Sequence, residues 1–240
     1  MNKKIVITGA TKGIGRAVAE KFAQENFDLA LCARNGADLE QLKAEIGKQR
    51  GESGEQKSAV FIQPCDVSKK EDLRNFSDRV TKQFGAVDII VNNAGIFLPG
   101  QVYKEEEGVL EQLMATNLYS AYHLSRWLLP EMIKRKRGHI FTMCSVASIG
   151  AYPNGGSYSI SKFAMLGLTK ALREELKPFN IKVTAIISGA VYTDSWKGSG
   201  LPESRFMKAE DIGKVIWDTF HLSDSAVVEE IVLRPMLGDI

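Results

Sequence analysis

The sequence predicts an α/β protein: a doubly wound parallel sheet of seven strands between two layers of helices, a three-layer α/β/α sandwich. Short apolar runs alternate with longer stretches of helical period along the whole chain, as in successive strand–helix–strand units. Most of the apolar runs are nearly continuous, which is typical of parallel strands covered on both faces. The chain has 240 residues and no internal repeat or linker. We therefore expect a single domain over residues 1–240.

Each element follows from this alternation. The predicted strands are residues 4–9, 27–33, 58–65, 87–94, 139–145, 181–188 and 227–233. The predicted helices lie near residues 13–25, 37–49, 69–84, 107–135, 157–177 and 208–220. The polar, glycine-rich stretch 47–58 is expected to connect the second helix to the third strand. We interpret KRKRG, residues 134–138, as a helix end with cations in its last turn and Gly138 as its cap, rather than as a nucleic-acid patch.

Composition excludes several classes of function. The formal net charge of +2 is too small for a basic face that binds nucleic acid. No apolar run approaches the length of a membrane span, and the first apolar run stops at Gly9, too early for a secretory signal. We expect a soluble, cytoplasmic protein. Cys32, Cys65 and Cys144 form no CxxC pair, so buried free thiols are expected and no metal site is predicted.

The stretch TGATKGIG, residues 8–15, follows the first strand and opens the first helix. At this position Gly9 allows a sharp turn, Gly13 lets the backbone approach a pyrophosphate, and Gly15 permits close contact between helix and sheet. The loop therefore predicts dinucleotide binding in a Rossmann-type fold. We count Thr11 and Ile14 among its cofactor-binding residues.

The end of the second strand predicts which dinucleotide binds. An acidic residue there accepts a hydrogen bond from the ribose 2′-hydroxyl of NAD, whereas a cation there pairs with the 2′-phosphate of NADP. Here the strand ends in Arg34, and Lys12 in the glycine loop adds a second cation. These charges favour NADP(H) over NAD(H). The alternative is that Arg34 only ends the strand and that the Lys12 side chain is solvated. Asp66, with Val67, is placed to contact adenine or to cap the following helix.

The stretch YSISK places Tyr158 four residues before Lys162, on one face of a predicted helix. The pair is either a half-buried tyrosine beside a lysine that extends to solvent, or an acid next to a cation that tunes it. An unperturbed phenol has a pKa of about 10, so a phenolic proton donor needs a neighbouring cation that stabilises its anion. Reduction of a carbonyl by hydride transfer requires such a donor at the carbonyl oxygen.

Together these motifs resemble the short-chain dehydrogenase/reductase family, of the classical single-domain type. The glycine loop, NNAG at residues 92–95, Ser145 followed by YSISK, and Asn117 in MATNLYSAY occur in the family's order over nearly the whole chain. The resemblance implies an NAD(P)-dependent oxidoreductase with the catalytic residues Asn117, Ser145, Tyr158 and Lys162.

The resemblance also implies a role for each catalytic residue. Tyr158 donates the proton, with Lys162 and the positive charge of oxidised nicotinamide as the sources of anion stabilisation. Ser145 holds the substrate oxygen, and the Asn117 side chain holds a water that links Lys162 to solvent. The histidines at 123, 139 and 221 sit in no arrangement that a serine hydrolase would need.

Further cofactor contacts come from the resemblance alone. NNAG places Asn93, Ala94 and Gly95 at the adenosine side of the cofactor. After the sixth strand the family has PGxxxT, whereas this chain reads SGAVYT, residues 188–193. Gly189 and Thr193 match the motif, and Gly189, Thr193 and the backbone of Val191 are expected near the nicotinamide carboxamide. Because Ser188 replaces the proline, we expect a less rigid turn.

A substrate lid is expected near residues 194–206. Its residues Trp196, Leu201 and Phe206 are expected to cover a pocket lined also by Phe97, Tyr152 and Tyr192, which suits a moderately apolar carbonyl compound. A 3-oxoacyl thioester, a pteridine-type compound and a general ketone all remain open as the substrate.

Two other functions are weighed against reductase activity. A nucleotide-sugar epimerase or dehydratase shares the Tyr–Lys pair but calls for a longer chain with a substrate domain. A non-catalytic NADP sensor would be expected to have lost Ser145 or Tyr158. The resemblance further implies a homodimer or homotetramer that pairs through the helices predicted at 107–135 and 157–177.

Overall fold

Within residues 2–53, 58–196 and 198–240, which the computed structural model describes, the seven predicted strands pair in one parallel sheet. Their order across the sheet is β3-β2-β1-β4-β5-β6-β7. The strands are β1 Lys4–Thr8, β2 Asp28–Ala33, β3 Val60–Pro64, β4 Ile89–Asn92, β5 Gly138–Ser145, β6 Ile181–Ser188 and β7 Glu230–Leu233. Strands β1, β2, β4 and β5 are buried over most of their length, because helices cover both faces.

Helices cover the two faces of the sheet in two separate layers. They are α1 Gly13–Gln24, α2 Gly36–Ser53, α3 Lys70–Phe84, α4 Val109–Met114, α5 Ser120–Arg135, α6 Gly156–Leu176 and α7 Ala209–Phe220. Helices α1, α2 and α7 share one apolar cluster with the sheet. Helices α3, α5 and α6 share the cluster on the opposite face. The predicted three-layer fold is confirmed.

The strand order fixes where a ligand can bind. From β1 the chain moves outward through β2 to β3, then returns to place β4 on the other side of β1. The loops that leave β1 and β4 therefore run in opposite directions and open a crevice at the carboxyl edge of the sheet. The glycine loop follows β1, and NNAG includes the end of β4, so both border this crevice.

The helix predicted at 107–135 is divided by one wider turn. Helix α4 runs into a π-helical turn at Ala115–Tyr119, and α5 continues from it. Asn117 sits in that turn. Single π turns within helices are rare and are frequent at functional sites.

Several predicted boundaries need correction, among them both ends of the fourth strand, which is predicted at 87–94 and found at Ile89–Asn92. The last strand begins at Glu230 rather than at residue 227, and Val228, whose carbonyl accepts from the Thr184 hydroxyl, lies outside it. Helix α2 extends to Ser53, so part of the connector predicted at 47–58 is helical, and residues 54–57 lie outside the described residues. The third strand is shorter than predicted at both ends.

The end of α5 differs from the prediction in its cap. Lys136, not Gly138, takes the left-handed conformation, with φ of +51°, and donates its N–H to carbonyls of the last turn. Gly138 instead begins β5, where a Cβ would overlap Cε of Met132. The glycine is thus explained by close packing rather than by capping. The cations of the last turn, Lys134 and Arg135, are as predicted.

None of the helices in the described part of the chain has both the length and the apolar character that crossing a bilayer requires. Cys32, Cys65 and Cys144 are buried free thiols, as predicted. A hydrogen bond with Cys65 and burial raise the pKa of the Cys32 thiol well above its usual range.

Candidate active site

A cavity of about 710 Å³ opens at the carboxyl edge of the sheet. Its walls come from the loops after β1, β4, β5 and β6, from the start of α6 and from the residues after β7. The predicted site residues that line it are Ile14, Asn93, Gly95, Ser145, Tyr158, Lys162, Gly189, Val191 and Thr193. One cavity therefore unites most of the predicted nicotinamide side of the site.

Tyr158 and Lys162 lie one turn apart on α6 and both face this cavity. The Lys162 ammonium is 5.7 Å from the centroid of the Tyr158 ring. The edge of the Phe97 ring packs against the Tyr158 ring, with 4.8 Å between the centroids. The phenol is thus held between an apolar ring and a cation.

The Lys162 ammonium is buried, with 8% of the residue exposed. It donates to the Met143 carbonyl oxygen at 2.8 Å. A Cβ at Gly95 would lie 3.2 Å from Asn117 Oδ1 and 3.7 Å from Nζ, so the close approach at position 95 is to Asn117 rather than to the ammonium. No carboxylate pairs with Lys162 among the described residues. Its positive charge therefore acts on the cavity with little local compensation.

Ser145 ends β5 with its hydroxyl oxygen already accepting a hydrogen bond. The Ala147 N–H donates to Ser145 Oγ at 3.1 Å, and the Ser145 N–H donates to Ser148 Oγ at 3.1 Å. These bonds fix the hydroxyl at the cavity wall and leave its proton for a substrate oxygen. Ser145 can thus donate to a carbonyl without acting as a nucleophile.

Asn117 is buried in the π-helical turn, 1% exposed. Its Oδ1 accepts from the Ile96 N–H at 2.8 Å, and its Nδ2 donates to the Ile96 carbonyl at 3.0 Å and to Ser161 Oγ at 3.0 Å. Both amide hydrogens are therefore committed to protein partners. The side chain fixes the loop after β4, and the water expected on it stays a prediction that depends on the second lone pair of Oδ1.

A second tyrosine borders the same cavity. Tyr152 is half-exposed, and burial, together with the nearby Tyr158, raises its pKa to about 12. A phenol with a raised pKa is a weaker proton donor at neutral pH. Tyr152 therefore offers a matched comparison for Tyr158.

Cys144, beside Ser145, also reaches the cavity, and burial raises the pKa of its thiol. A thiol that stays protonated is a poor nucleophile. Across the described residues, no three His, Cys, Asp or Glu side chains gather in a way that would hold a metal ion.

The glycine loop has the shape that a diphosphate needs. Gly9 and Gly13 have φ of +65° and +52°, values that disfavour any residue with a Cβ. A Cβ at Gly15 would overlap the Gly9 carbonyl oxygen, so this glycine allows the predicted close contact. Helix α1 begins at Gly13, and the side chain of its N-cap residue, Lys12, makes no capping hydrogen bond. The first amides of α1 are therefore available to an anion.

Asn93 joins the end of β4 to the glycine loop. Its Nδ2 donates to the carbonyls of Thr8 and Gly9 at 2.9 and 3.1 Å, while Thr8 Oγ1 accepts from the N–H groups of Asn93 and Ala94 at 3.1 and 3.0 Å. Asn93 therefore holds the two sides of the crevice together. Contact with adenosine remains a prediction for Asn93 and Ala94.

The expected adenosine corner, where β2 and β3 end, contains Arg34 and Asp66. Arg34 is exposed at the end of β2. Asp66 Oδ1 accepts from the Ser68 hydroxyl at 2.7 Å and from the Ser68 N–H at 3.1 Å. The hydrogen bond from the Ser68 hydroxyl is the main reason that the pKa of Asp66 lies below its usual value, and the positive charge of Arg34 lowers this pKa further. Asp66 thus caps the turn before α3, and Val67 is buried in the core.

Lys12 is paired with a residue of the predicted lid. Its ammonium lies 3.5 Å from Asp194 Oδ2, with both side chains half-exposed or more. The pair must open for Lys12 to reach a 2′-phosphate. A Cβ at Gly13 would lie 2.8 Å from Thr193 Cγ2, so the turn after β6 rests directly on the glycine loop.

The turn at residues 188–193 is held without the family's proline. The Gly189 N–H donates to the Leu233 carbonyl at 2.7 Å, the Met207 N–H to the Ala190 carbonyl at 3.1 Å, and the Tyr192 N–H to the Met207 carbonyl at 2.9 Å. These backbone bonds hold the residues that follow Ser188. The lower rigidity expected from the missing proline stays a prediction.

Within the described residues, the predicted pocket wall is only partly as expected. Trp196, Phe97 and Tyr152 line the cavity. Phe206 does not: it is buried behind Trp196, with 5.2 Å between the centroids, and it also packs against Tyr192. Leu201 is exposed and, like Tyr192, does not line the cavity. The Phe206 ring therefore supports Trp196 rather than meeting a substrate.

Two contributions to the site were missed from the sequence. Arg234, Asp239 and Ile240 line the cavity, whereas the sequence predicts only a strand, residues 227–233, near this end of the chain. Sheet order contains the signal, because β7 is next to β6 and its end must reach the same edge. Glu105 is the second: its Oε1 accepts from the Ser157 N–H at 2.9 Å at the start of the helix that carries Tyr158.

Comparison with known proteins places this site in a family. The family model described as short chain dehydrogenase matches residues 3–203. A sepiapterin reductase of Chlorobaculum tepidum is 34% identical over 100% of this chain and 99% of its own length. A 3-oxoacyl-[acyl-carrier-protein] reductase of Staphylococcus epidermidis is 28% identical over 94% of this chain and 93% of its own.

A solved structure supports the same placement. The alcohol dehydrogenase of the archaeon Thermococcus sibiricus, in complex with 5-hydroxy-NADP, superposes with a TM-score of 0.89 at 29% identity, covering 100% of this chain and 99% of that one. The chain belongs to the short-chain dehydrogenase family and is an oxidoreductase of that family.

Proposed function

We propose that the protein is an NADPH-dependent reductase that converts a ketone or aldehyde to an alcohol. The observation that carries this proposal is the convergence of Tyr158, the buried Lys162 ammonium and the Ser145 hydroxyl in one cavity beside an open helix N-terminus. A non-catalytic sensor would have no need of a phenol and a hydroxyl that line the same cavity.

Each of these side chains has a separate role in the proposed reaction. Bound NADPH supplies the hydride that the carbonyl carbon receives. The hydroxyls of Ser145 and Tyr158 hold the carbonyl oxygen, and Tyr158 gives its proton to that oxygen as negative charge develops on it. Lys162 stabilises the phenolate that remains. Asn117 acts indirectly, because its amide fixes the Ile96 backbone beside the cavity.

Two features support NADP as the cofactor. The Thermococcus relative was solved with 5-hydroxy-NADP, and Arg34 stands exposed where the 2′-phosphate is expected. The residues proposed to hold the diphosphate are the amides of Gly13, Ile14 and Gly15 at the start of α1.

The cavity walls support a moderately apolar substrate. Phe97, Tyr152, Ile149 and Trp196 surround the space in front of Tyr158. A pteridine-type compound is the first candidate to test, because a relative that aligns over the full chain is a sepiapterin reductase. 3-Oxoacyl thioesters and simple ketones remain the other candidates.

A homodimer or homotetramer is proposed on the basis of exposed apolar side chains. Tyr119, Tyr122, Ile160 and Phe163 expose between 38% and 50% of their surface on α5, α6 and the π-helical turn. Such a patch on a folded chain is typical of an interface. Light scattering measures the mass directly.

The decisive experiment compares two tyrosines of one cavity. A panel of ketones and aldehydes is assayed with NADPH and with NADH by absorbance loss, first with the unaltered protein. We expect Tyr158→Phe to lower kcat at least about 100-fold, the usual range for loss of a general acid. Tyr152→Phe should retain kcat within about threefold, since its raised pKa makes it a poor donor.

Binding of NADPH, followed by fluorescence, provides the control for folding. Both variants should bind NADPH as the unaltered protein does. Substantial turnover by Tyr158→Phe, or an equal loss in both variants, would contradict the assignment of the proton donor.

A further inference from the structure

The residues that follow β7 form a wall of the catalytic cavity. Strand β7 ends at Leu233, and the chain then turns so that Arg234, Asp239 and Ile240 line the cavity. The contact with the opposite wall is close: a Cβ at Gly189 would lie 3.0 Å from Asp239 Oδ1 and 3.1 Å from Pro235 Cδ. A side chain at position 189 would crowd the 234–240 segment, so the glycine allows the close packing seen here.

Apart from the buried Pro235, the 234–240 segment has little apolar packing of its own. Met236 and Leu237 expose 98% and 79% of their surface, and Ile240 exposes 45%. Segments with few buried apolar contacts open at low free-energy cost unless hydrogen bonds hold them. Within the segment, an ion pair joins Arg234 to Asp239, and the Gly238 N–H donates to the Pro235 carbonyl at 2.8 Å.

Arg205 supplies the restraint from outside the segment. It belongs to the short 3₁₀ turn Glu203–Arg205, close in sequence to the buried Phe206. Its Nη1 donates to the Gly238 carbonyl at 3.0 Å, and its Nη2 donates to the carbonyls of Leu237 and Asp239 at 3.3 and 3.1 Å. One rigid guanidinium therefore holds three consecutive carbonyls.

We propose that Arg205 is a positioning residue for substrate specificity: by holding the carbonyls of residues 237–239 it keeps the 234–240 segment in place as a wall of the catalytic cavity, and this wall contacts the part of the substrate beyond the reacting carbonyl. The inference rests on the proposed reductase function. It assigns no catalytic step to Arg205, whose guanidinium contacts backbone rather than the cavity centre.

The test uses two diketones that share a reactive carbonyl and differ in size. Butane-2,3-dione carries a methyl group where 1-phenylpropane-1,2-dione carries a phenyl ring. For Arg205→Ala we expect kcat/KM for the phenyl compound to fall about 10-fold, mainly through KM, because only that compound extends to the wall. The value for butane-2,3-dione should change less than about threefold, and the dissociation constant of NADPH less than about twofold.

Variants of known charge provide the controls. Arg205→Lys keeps a cation with three N–H donors and should keep the ratio of the two kcat/KM values within about threefold of the unaltered protein. Arg74→Ala removes an exposed arginine on α3, where it pairs with Asp78, and should leave the ratio unchanged. Hydrogen exchange should accelerate in residues 237–240 of Arg205→Ala only.

The outcomes separate the two proposals. If the unaltered protein reduces both diketones and Arg205→Ala leaves the ratio within twofold or raises it, the wall proposal is overturned while the reductase proposal stands. Unchanged hydrogen exchange at residues 237–240 in Arg205→Ala would also overturn the wall proposal. If the unaltered protein reduces neither these diketones nor any compound of the carbonyl panel, the reductase proposal itself fails.

Discussion

Two cations near the adenosine corner differ in how free they are to bind a phosphate. Arg34 is exposed at the end of β2, and neither a hydrogen bond nor an ion pair engages its guanidinium in the described part of the chain. Lys12 already pairs with Asp194. Lys12 must break its ion pair with Asp194 before it can bind a phosphate, whereas Arg34 has no such pair to break among the described residues. Arg34 should therefore contribute more than Lys12 to the selection of NADP.

We therefore expect Arg34→Asp to raise the KM of NADPH about 100-fold and to lower that of NADH, because the new carboxylate repels a phosphate and accepts from a ribose hydroxyl. Lys12→Ala should raise the KM of NADPH less than about 10-fold. Arg137→Asp, an identical charge change at the exposed start of β5, is the matched control. Equal KM values for NADPH in Arg34→Asp and Arg137→Asp would show that Arg34 does not meet the phosphate.

At the scale of elements, the start of α6 determines where Tyr158 stands. Glu105 lies outside this helix, yet its Oε1 accepts from the Ser157 N–H at 2.9 Å, and its Oε2 accepts from the Ser157 hydroxyl. The fit is close, because a Cβ at Gly100 would lie 2.7 Å from Glu105 Cγ. A carboxylate at a helix N-terminus satisfies an open amide and interacts favourably with the helix dipole.

Glu105→Ala should lower the free energy of unfolding by about 1 kcal/mol, the typical value for a lost cap. It should also lower kcat about 10-fold with little change in NADPH binding, because Tyr158 is the residue after Ser157. Thermal unfolding and steady-state kinetics measure the two effects. Glu105→Gln retains an acceptor and should restore most of both, whereas Glu107→Ala, at an exposed position, should change neither. A loss of stability in Glu105→Ala without any loss of kcat would separate the cap from catalysis.

These contacts mark the limit of what the sequence can predict. The spacing of Tyr158 and Lys162 is local, and helical geometry alone predicts that they share a face. The strands are predictable because their apolar runs record burial on both faces. Glu105 stands 52 residues before Ser157, and no local pattern connects them. Asp239 reaches Gly189 only through the order of β6 and β7. The left-handed conformation of Lys136 could not be predicted either, because glycine is the more usual residue at a helix C-terminus and Gly138 lies nearby.

At the scale of the whole molecule, a buried histidine at the amino edge of the sheet connects stability to pH. His139 is 1% exposed and its ring stacks on Phe141, with 4.0 Å between the centroids. Thr184 Oγ1 donates to the Val228 carbonyl at 2.6 Å, so it accepts from His139 Nε2 at 2.8 Å. Nε2 therefore carries a proton, and Nδ1, which is buried with no hydrogen-bond partner among the described residues, has no acceptor for a second proton, which favours the neutral ring. Burial, and after it the charge of Lys182, lowers the pKa of His139 to about 3.

The direction of the pH effect follows from that lowered pKa. Between the pKa of about 3 in the folded state and about 6.5 in the unfolded chain, only the unfolded chain binds the proton. Stability is thus complete above about pH 6.5 and is lost as the pH falls toward 3, at about 1.4 kcal/mol per pH unit. Between pH 7.5 and pH 5 this one group should remove about 2 kcal/mol from the free energy of unfolding.

Urea unfolding at the two pH values measures the loss, and His139→Gln should reduce it by about that amount, because the amide can still bond to Thr184 but does not titrate in this range. His221→Gln alters a histidine that is exposed at the end of α7 and should leave the loss as large as in the unaltered protein. The same acid sensitivity in His139→Gln as in the unaltered protein would assign the loss to carboxylates instead. Because His139 lies at the opposite edge of the sheet from the cavity, kcat at pH 7.5 should be equal in all three proteins, which separates acid stability from catalysis.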